Sequence, residues 1–321
     1  MSVRLLLFLP LALACTVNVP RSEQEPTLRV AFGSCIKDPA SPIWTVIDER
    51  SPNLVLFLGD NVYFDELDLK SLERMRARYD ELHRSDGLKR LLRREHYAIW
   101  DDHDFGPNNA DRTFRNHELA RRAFREMWPN NPPSNPELGD SIAFSLTRAD
   151  TKFVFTDGRT FRLNPGKSKS QMFGHEQLAW IRTQLLDSSP SLIVLVSGTP
   201  LLAPKTNEVG AEGLFQYPEE ERELYDIFHR MTRPLIILSG GKHYAELLKR
   251  SFGENTILEL STSPLAAPLV PAELVPPDYP YRRAKYTSFN FGELEVHSHG
   301  RYRLSLRDSR GAPVVEYSQL N

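Results

Sequence analysis

The sequence predicts a layered α/β domain in which two sheets pack on one another under helices, with an antiparallel β meander at its C-terminal end. Three observations carry this. From residue 28 onward short apolar runs alternate with amphipathic segments. Nearly every apolar run ends in a polar Gly, Asp or His cluster. The last third of the chain changes to strand-like runs joined by tight turns.

The first run, "LRVAFGSC" (Leu28 to Cys35), reads as a buried strand closed by a glycine turn. "SPIWTVIDER" follows as a short helix, with Ser41 as cap and Pro42 at the first helical position. "NLVLFLGD" (Asn53 to Asp60) is the next strand and again runs into Gly-Asp. A helix over 68–85, a strand over "HYAIWDD" (His96 to Asp102) and a helix over 112–128 come next, the last stopped by "PNNPPSNPELGD". That Pro/Asn stretch is a surface loop, because strand pattern resumes at once in "SIAFSL" and "KFVFTDGR". Helix 174–189, strand 191–200, helix 218–231 and strand 234–243 complete the alternation. "NTILELST", "SFNFGELEVHS", "RYRLSLRD" and "PVVEYSQL" then read as the antiparallel strands of the meander.

Composition narrows the function. With 321 residues, 40% hydrophobic and 26% charged, the chain can bury a large core. A net charge of -2 gives no basic field for nucleic acid, and the basic run Leu88 to Arg94 has the leucine spacing of a solvated helix. There is no internal repeat.

The N-terminus reads as an export signal: Arg4 precedes "LLLFLPLALA", too short to span a bilayer. Ala12-Leu13-Ala14 suits ordinary signal cleavage, and with Cys15 it resembles a bacterial lipobox in which Cys15 becomes the lipidated first residue. The expected organisation is a signal peptide over 1–14, a tether over 15–27 and one domain over 28–321, exported to the periplasm or cell envelope and anchored through Cys15. If Cys15 is acylated, Cys35 has no internal disulfide partner. It is then either a small buried hydrophobe or a metal ligand.

"WDDHDFGPNN" (Trp100 to Asn109) sets three aspartates and a histidine within four positions. Such carboxylates repel one another unless a cation joins them. "GDNVY" offers Asp60 and Tyr63; Asp102, His103 and Asp104 add two carboxylates and an imidazole; Asn108 and Asn109 add neutral oxygens; Cys35 and His243 add a thiolate and a second imidazole. This set suits a hard ion beside a redox-capable transition metal rather than a tetrahedral zinc site. Taken singly, Cys35 and Tyr63 suit the core, His297 and His299 a solvated hairpin, and Trp44, Trp100, Trp128 and Trp180 the interior.

Together "FGSC", "LGDNVY", "WDDHDFGPNN", "DGRTFR", "HEQLAWI" and "LSGGKHYAEL" resemble the PhoD-like alkaline phosphatases, a branch of the calcineurin-like metallophosphoesterases. The resemblance implies an α/β/β/α sandwich of the metallophosphoesterase type and a hydrolase of phosphoric mono- or diesters that attacks with a metal-bound hydroxide. It implies that Asp60 bridges two metals, that Cys35, Tyr63 and His243 bind a ferric ion (Fe3+), and that Asp102 binds the second metal, calcium (Ca2+). It further implies that His103 contacts the phosphate and assists the leaving group, and that Arg159 grips phosphate oxygens. Asn109 and Lys242 are expected at the substrate. One departure stands out: where relatives read Gly-Asp-x-His, this chain has Gly240-Gly241-Lys242-His243. The alternative that follows is a catalytically impaired member that binds a phosphorylated ligand or serves as an envelope interaction module.

Overall fold

The computed structural model describes residues 25–166, 169–205 and 212–320. The expected signal peptide, Cys15 and most of the tether lie outside the described residues.

The first sheet begins with β1 (Leu28–Gly33), β2 (Leu54–Leu58) and β3 (Glu95–Ile99), all parallel. Between them run α1 (Ile43–Glu49), α2 (Leu72–Arg84) and α3 (Asp86–Leu91). The Ser71 and Ser85 hydroxyls accept N–H bonds from Arg74 and Leu88 at the starts of α2 and α3. After β3 come the single turn α4 (Asp102–Phe105) and α5 (His117–Met127).

The chain then enters the second sheet with β4 (Phe144–Arg148), β5 (Thr151–Phe155), α6 (Gly174–Leu185), β6 (Leu192–Ser197), α7 (Pro218–Arg230) and β7 (Leu235–Ser239). β8 (Ala245–Phe252), β9 (Asn255–Ser261) and β10 (Arg282–Tyr286) stay in that sheet. β11 (Asn290–Val296), β12 (Tyr302–Asp308) and β13 (Pro313–Gln319) return to the first. The strand orders are β13-β12-β11-β1-β2-β3 and β10-β8-β9-β7-β6-β5-β4.

Side-chain alternation explains the layering. In β6, Val194 and Val196 face the core shared with Phe32, Leu56 and Leu58 of the first sheet, while Ile193 and Leu195 face Leu178 and Ile181 of α6 and Leu224 and Phe228 of α7. On the other side Trp44 of α1 and Met75 and Tyr79 of α2 cover the first sheet. The result is the expected α/β/β/α sandwich.

Two details differ from the sequence reading. The meander on β1 is β11-β12-β13, whereas β9 lies between β7 and β8, parallel to β7. Ile257, Leu258 and Leu260 are all buried, as in a strand covered on both faces, and an apolar run does not itself say which sheet will take it. His297 and His299 are not alternate residues of a strand: β11 ends at Val296, His297 is buried, and His299 turns with φ +63°. Among the described residues no helix is long and apolar enough to cross a membrane.

Candidate metal centre

The parallel strands β1, β2, β3 and β7 place their carboxyl ends at one edge of the sandwich, where ligands bind in open α/β sheets. Cys35, Asp60, Asp102 with His103, and His243 each follow one of these strands within a few residues. Cys35, Asp60 and His243 have φ of +63°, +52° and +56°, a left-handed conformation that strains non-glycine residues and concentrates at functional sites. The turns lock together: the Cys35 N–H donates to the Gly59 carbonyl (3.2 Å) and the Ile36 N–H to the Asp60 carbonyl (2.8 Å). Gly59 is required here, since its φ is +99° and a Cβ would fall 2.7 Å from the Asp101 Cβ.

The side chains converge. Cys35 Sγ lies 3.5 Å from Asp60 Oδ2, and Tyr63 Oη lies 3.4 Å from the same oxygen and 3.0 Å from His243 Nε2. The other Asp60 oxygen accepts the His103 N–H at 3.2 Å. Three groups of potential ligand atoms, each within 4.8 Å of one another, form a chain: Cys35-Asp60-His243, Asp60-Asp102-His103 and Asp101-Asp102-Glu212. Asp60 belongs to the first two.

The electrostatics show what this crowding costs. Burial, then the charge of Asp102, pushes the Asp60 carboxyl well above the usual range. Burial likewise raises the Cys35 thiol and the Tyr63 phenol. Burial would raise Asp102, but the Arg159 charge and His103 hold it low. At Cys35, Asp60 and Tyr63 the protein alone thus resists the charged forms that metal ligation uses, and bound cations remove that resistance. One thiolate, one phenolate, imidazoles and a shared carboxylate fit a transition metal beside a hard ion.

A cavity of about 250 Å³ opens over these groups, lined among others by Asp60, Asp102, His103, Asn109, Glu212 and His243. Asn109 holds Asp102 in place through its backbone N–H (2.6 Å to Oδ2). Lys242 lies on the wall, but its ammonium pairs with the buried Glu246 at 2.6 Å.

Arg159, expected to grip phosphate, lies elsewhere. It is 0% exposed, with Nε on Asp101 (2.6 Å), Nη1 on the Ala110 carbonyl (3.1 Å) and Nη2 on Glu212 (2.5 Å). Its donors are taken by the protein behind the pocket, because the acids of the third group require a cation there. Asp104, counted in the sequence among the ligand candidates, turns away from the cavity and accepts from the Asn61 N–H (3.1 Å) and the Tyr79 hydroxyl (3.0 Å), tying the loops after β2 and β3 together.

Several contributors escaped the sequence reading. Asp101 sits in the same "DDHD" run and had a signal; Glu212 lies in a stretch without periodicity and had none. Ser263 also had none: its hydroxyl lies 3.1 Å from Cys35 Sγ and accepts the His243 N–H at 2.8 Å, joining two of the convergent turns.

Two mixed sheets packed face to face carry a carboxylate-rich pocket at the carboxyl ends of their parallel strands. The profile of the PhoD-like phosphatases matches residues 30–312, and the chain belongs to that family. Among solved structures it is similar to PhoD, with a TM-score of 0.72 at 14% identity over 91% of this chain and 68% of that one. It is also similar to the purple acid phosphatase PPD1 from yellow lupin (Lupinus luteus) seeds, with a TM-score of 0.66 at 12% identity over 90% of this chain and 53% of that one. No curated protein sequence matches it.

Proposed function

We propose that the protein is an exported phosphoric ester hydrolase, anchored to the cell envelope through Cys15, that works with a dinuclear centre of ferric iron and calcium. The observation that carries the reading is the position of Asp60, one carboxylate shared between the group containing Cys35 and His243 and the group containing Asp102 and His103.

In this reading Cys35, Tyr63 and His243 would hold the iron and Asp102 the calcium, with Asp60 placed between the two groups. Cations bound there would supply Lewis acidity for a water nucleophile and neutralise charge on the phosphoryl oxygens. The protein's own part is positioning. The His103 and Asn109 N–H groups orient Asp60 and Asp102, and Ser263 orients Cys35 and His243. The His103 imidazole, at the pocket wall and 4.0 Å from Asp102, passes a proton to the departing oxygen. Burial lowers its pKa. Arg159 acts as a positioning residue that keeps Asp101 and Asp102 ionised, and Asn109 is left as the neutral side chain facing a substrate.

Gly241 supports a second reading, a family member that binds a phosphorylated ligand without turning it over. Hydrolysis of phenyl phosphate and of bis(4-nitrophenyl) phosphate by the iron- and calcium-loaded protein separates the two. Turnover of either ester supports the hydrolase; binding of inorganic phosphate without turnover supports the ligand binder.

A further inference from the structure

Two hydroxyls lie against the Cys35 sulfur, Ser263 Oγ at 3.1 Å and Ser34 Oγ at 3.4 Å. Cys35 is 0% exposed, so a thiolate there takes its hydrogen bonds from the protein and not from bulk water. A hydroxyl has one proton to give, and the two serines give theirs to different partners. Ser34 donates to the Thr262 carbonyl at 2.9 Å and accepts the Gly241 N–H at 3.3 Å. Ser263 accepts the His243 N–H at 2.8 Å, and its own proton goes to the sulfur. The two oxygens are close to equal in distance and opposite in role.

A donor on a metal-bound thiolate competes with the metal for the charge of the sulfur, and hydrogen bonds of this kind tune the metals that cysteines hold. Orientation of Cys35 and His243 is thus only part of what the Ser263 hydroxyl can do.

We infer that Ser263 tunes the electron donation of Cys35 to the iron: its O–H···S bond withdraws charge from the thiolate and leaves the metal a stronger Lewis acid that is more readily reduced. The inference rests on the proposed iron centre. Ser263 carries no reacting atom and is a positioning residue that acts through Cys35.

The test compares the iron-saturated full chain with Ser263→Ala and Ser34→Ala, by the energy of the thiolate-to-iron charge-transfer band and by the midpoint potential of the iron in a spectroelectrochemical titration. Ser263→Ala is expected to move the band to lower energy and the potential to more negative values, because a thiolate without its donor gives more charge to the metal. Ser34→Ala removes an oxygen at nearly the same distance and is expected to shift both by less. No shift in Ser263→Ala overturns the inference; so does a shift of equal size in Ser34→Ala, which would assign the effect to packing. A second measurement needs no variant: the Fe–S stretch of the wild type, read by resonance Raman, is expected to move when the protein is iron-loaded in D2O instead of H2O, and a stationary stretch overturns the inference. An iron-loaded wild type with no thiolate band contradicts the iron assignment itself. A band that Cys35→Ser abolishes and Ser263→Ala leaves in place contradicts the tuning alone.

Discussion

Cys35 Sγ and Asp60 Oδ2 lie 3.5 Å apart at the ends of two adjacent parallel strands, each on a residue with positive φ. A hydroxyl from a third part of the chain, Ser263, sits 3.1 Å from the same sulfur and also receives the His243 N–H. Ser263→Ala is expected to weaken iron binding about 10- to 100-fold, the usual effect of removing a group that orients metal ligands. Competition with a chelator measures it; affinity equal to wild type would remove Ser263 from the site.

Arg159 sits under the acids with no exposed surface, paired with Asp101 and Glu212. Arg159→Met leaves those carboxylates buried without a cation, a loss of about 3–5 kcal/mol for a broken buried pair. Thermal melts check this. Added calcium is expected to stabilise the variant more than wild type, because a divalent ion can answer the same charges.

Gly241 has φ +80°, and a Cβ there would lie 3.2 Å from both Asp101 Oδ2 and the Gly198 carbonyl. Gly241→Asp therefore sets a strained acid against an existing one and is expected to lower stability by about 1–2 kcal/mol without raising activity. A rise in kcat/KM would show that the missing acid limits this protein.

Glu293 lies on β11 between Arg50 (2.8 Å) and Arg307 (2.6 Å). Burial alone would raise its pKa, but the Arg50 hydrogen bond and the charges of both arginines hold it below the ordinary glutamate value. A depressed folded-state pKa adds stability that is fully present above the unfolded value of about 4.3 and is lost as pH falls through the folded value. Glu293→Gln is expected to cost about 1–3 kcal/mol at pH 7 and progressively less below pH 4. Urea midpoints across that range follow the convergence; a cost independent of pH would contradict it.

Most of the layered fold was legible because its information is local. Valine, leucine and isoleucine runs ending in Gly-Asp or Ser-Cys announce strands that stop at a ligand edge; Ser71 and Ser85 cap α2 and α3, whereas at α1 the cap position expected of Ser41 is held by Pro42, with no side-chain cap. β8 and β10 were not legible, since "AELLKRSF" and "RRAKY" have no strand periodicity, and the Arg282–Glu246 pair that crosses between them joins residues far apart in the chain. The structure brings Cys35, Asp60, Tyr63, Asp102, His103 and His243 together, because each follows a strand end. Motif reading misjudged Arg159, whose partner Glu212 lies far along the chain in a stretch with no pattern. A sequence can suggest that an arginine sits near phosphate, but not that the protein's own acids have already claimed it.

The central claim is that one pocket holds two metal ions through a shared Asp60, and metal content with the visible spectrum tests it most directly. The purified full chain is expected to carry two metal ions, one of them iron, with a thiolate or phenolate charge-transfer band that Cys35→Ser and Tyr63→Phe alter, and Asp60→Asn is expected to lose metal from both positions. A colourless protein with one ion or none, or an Asp60→Asn variant that keeps both, would contradict the account.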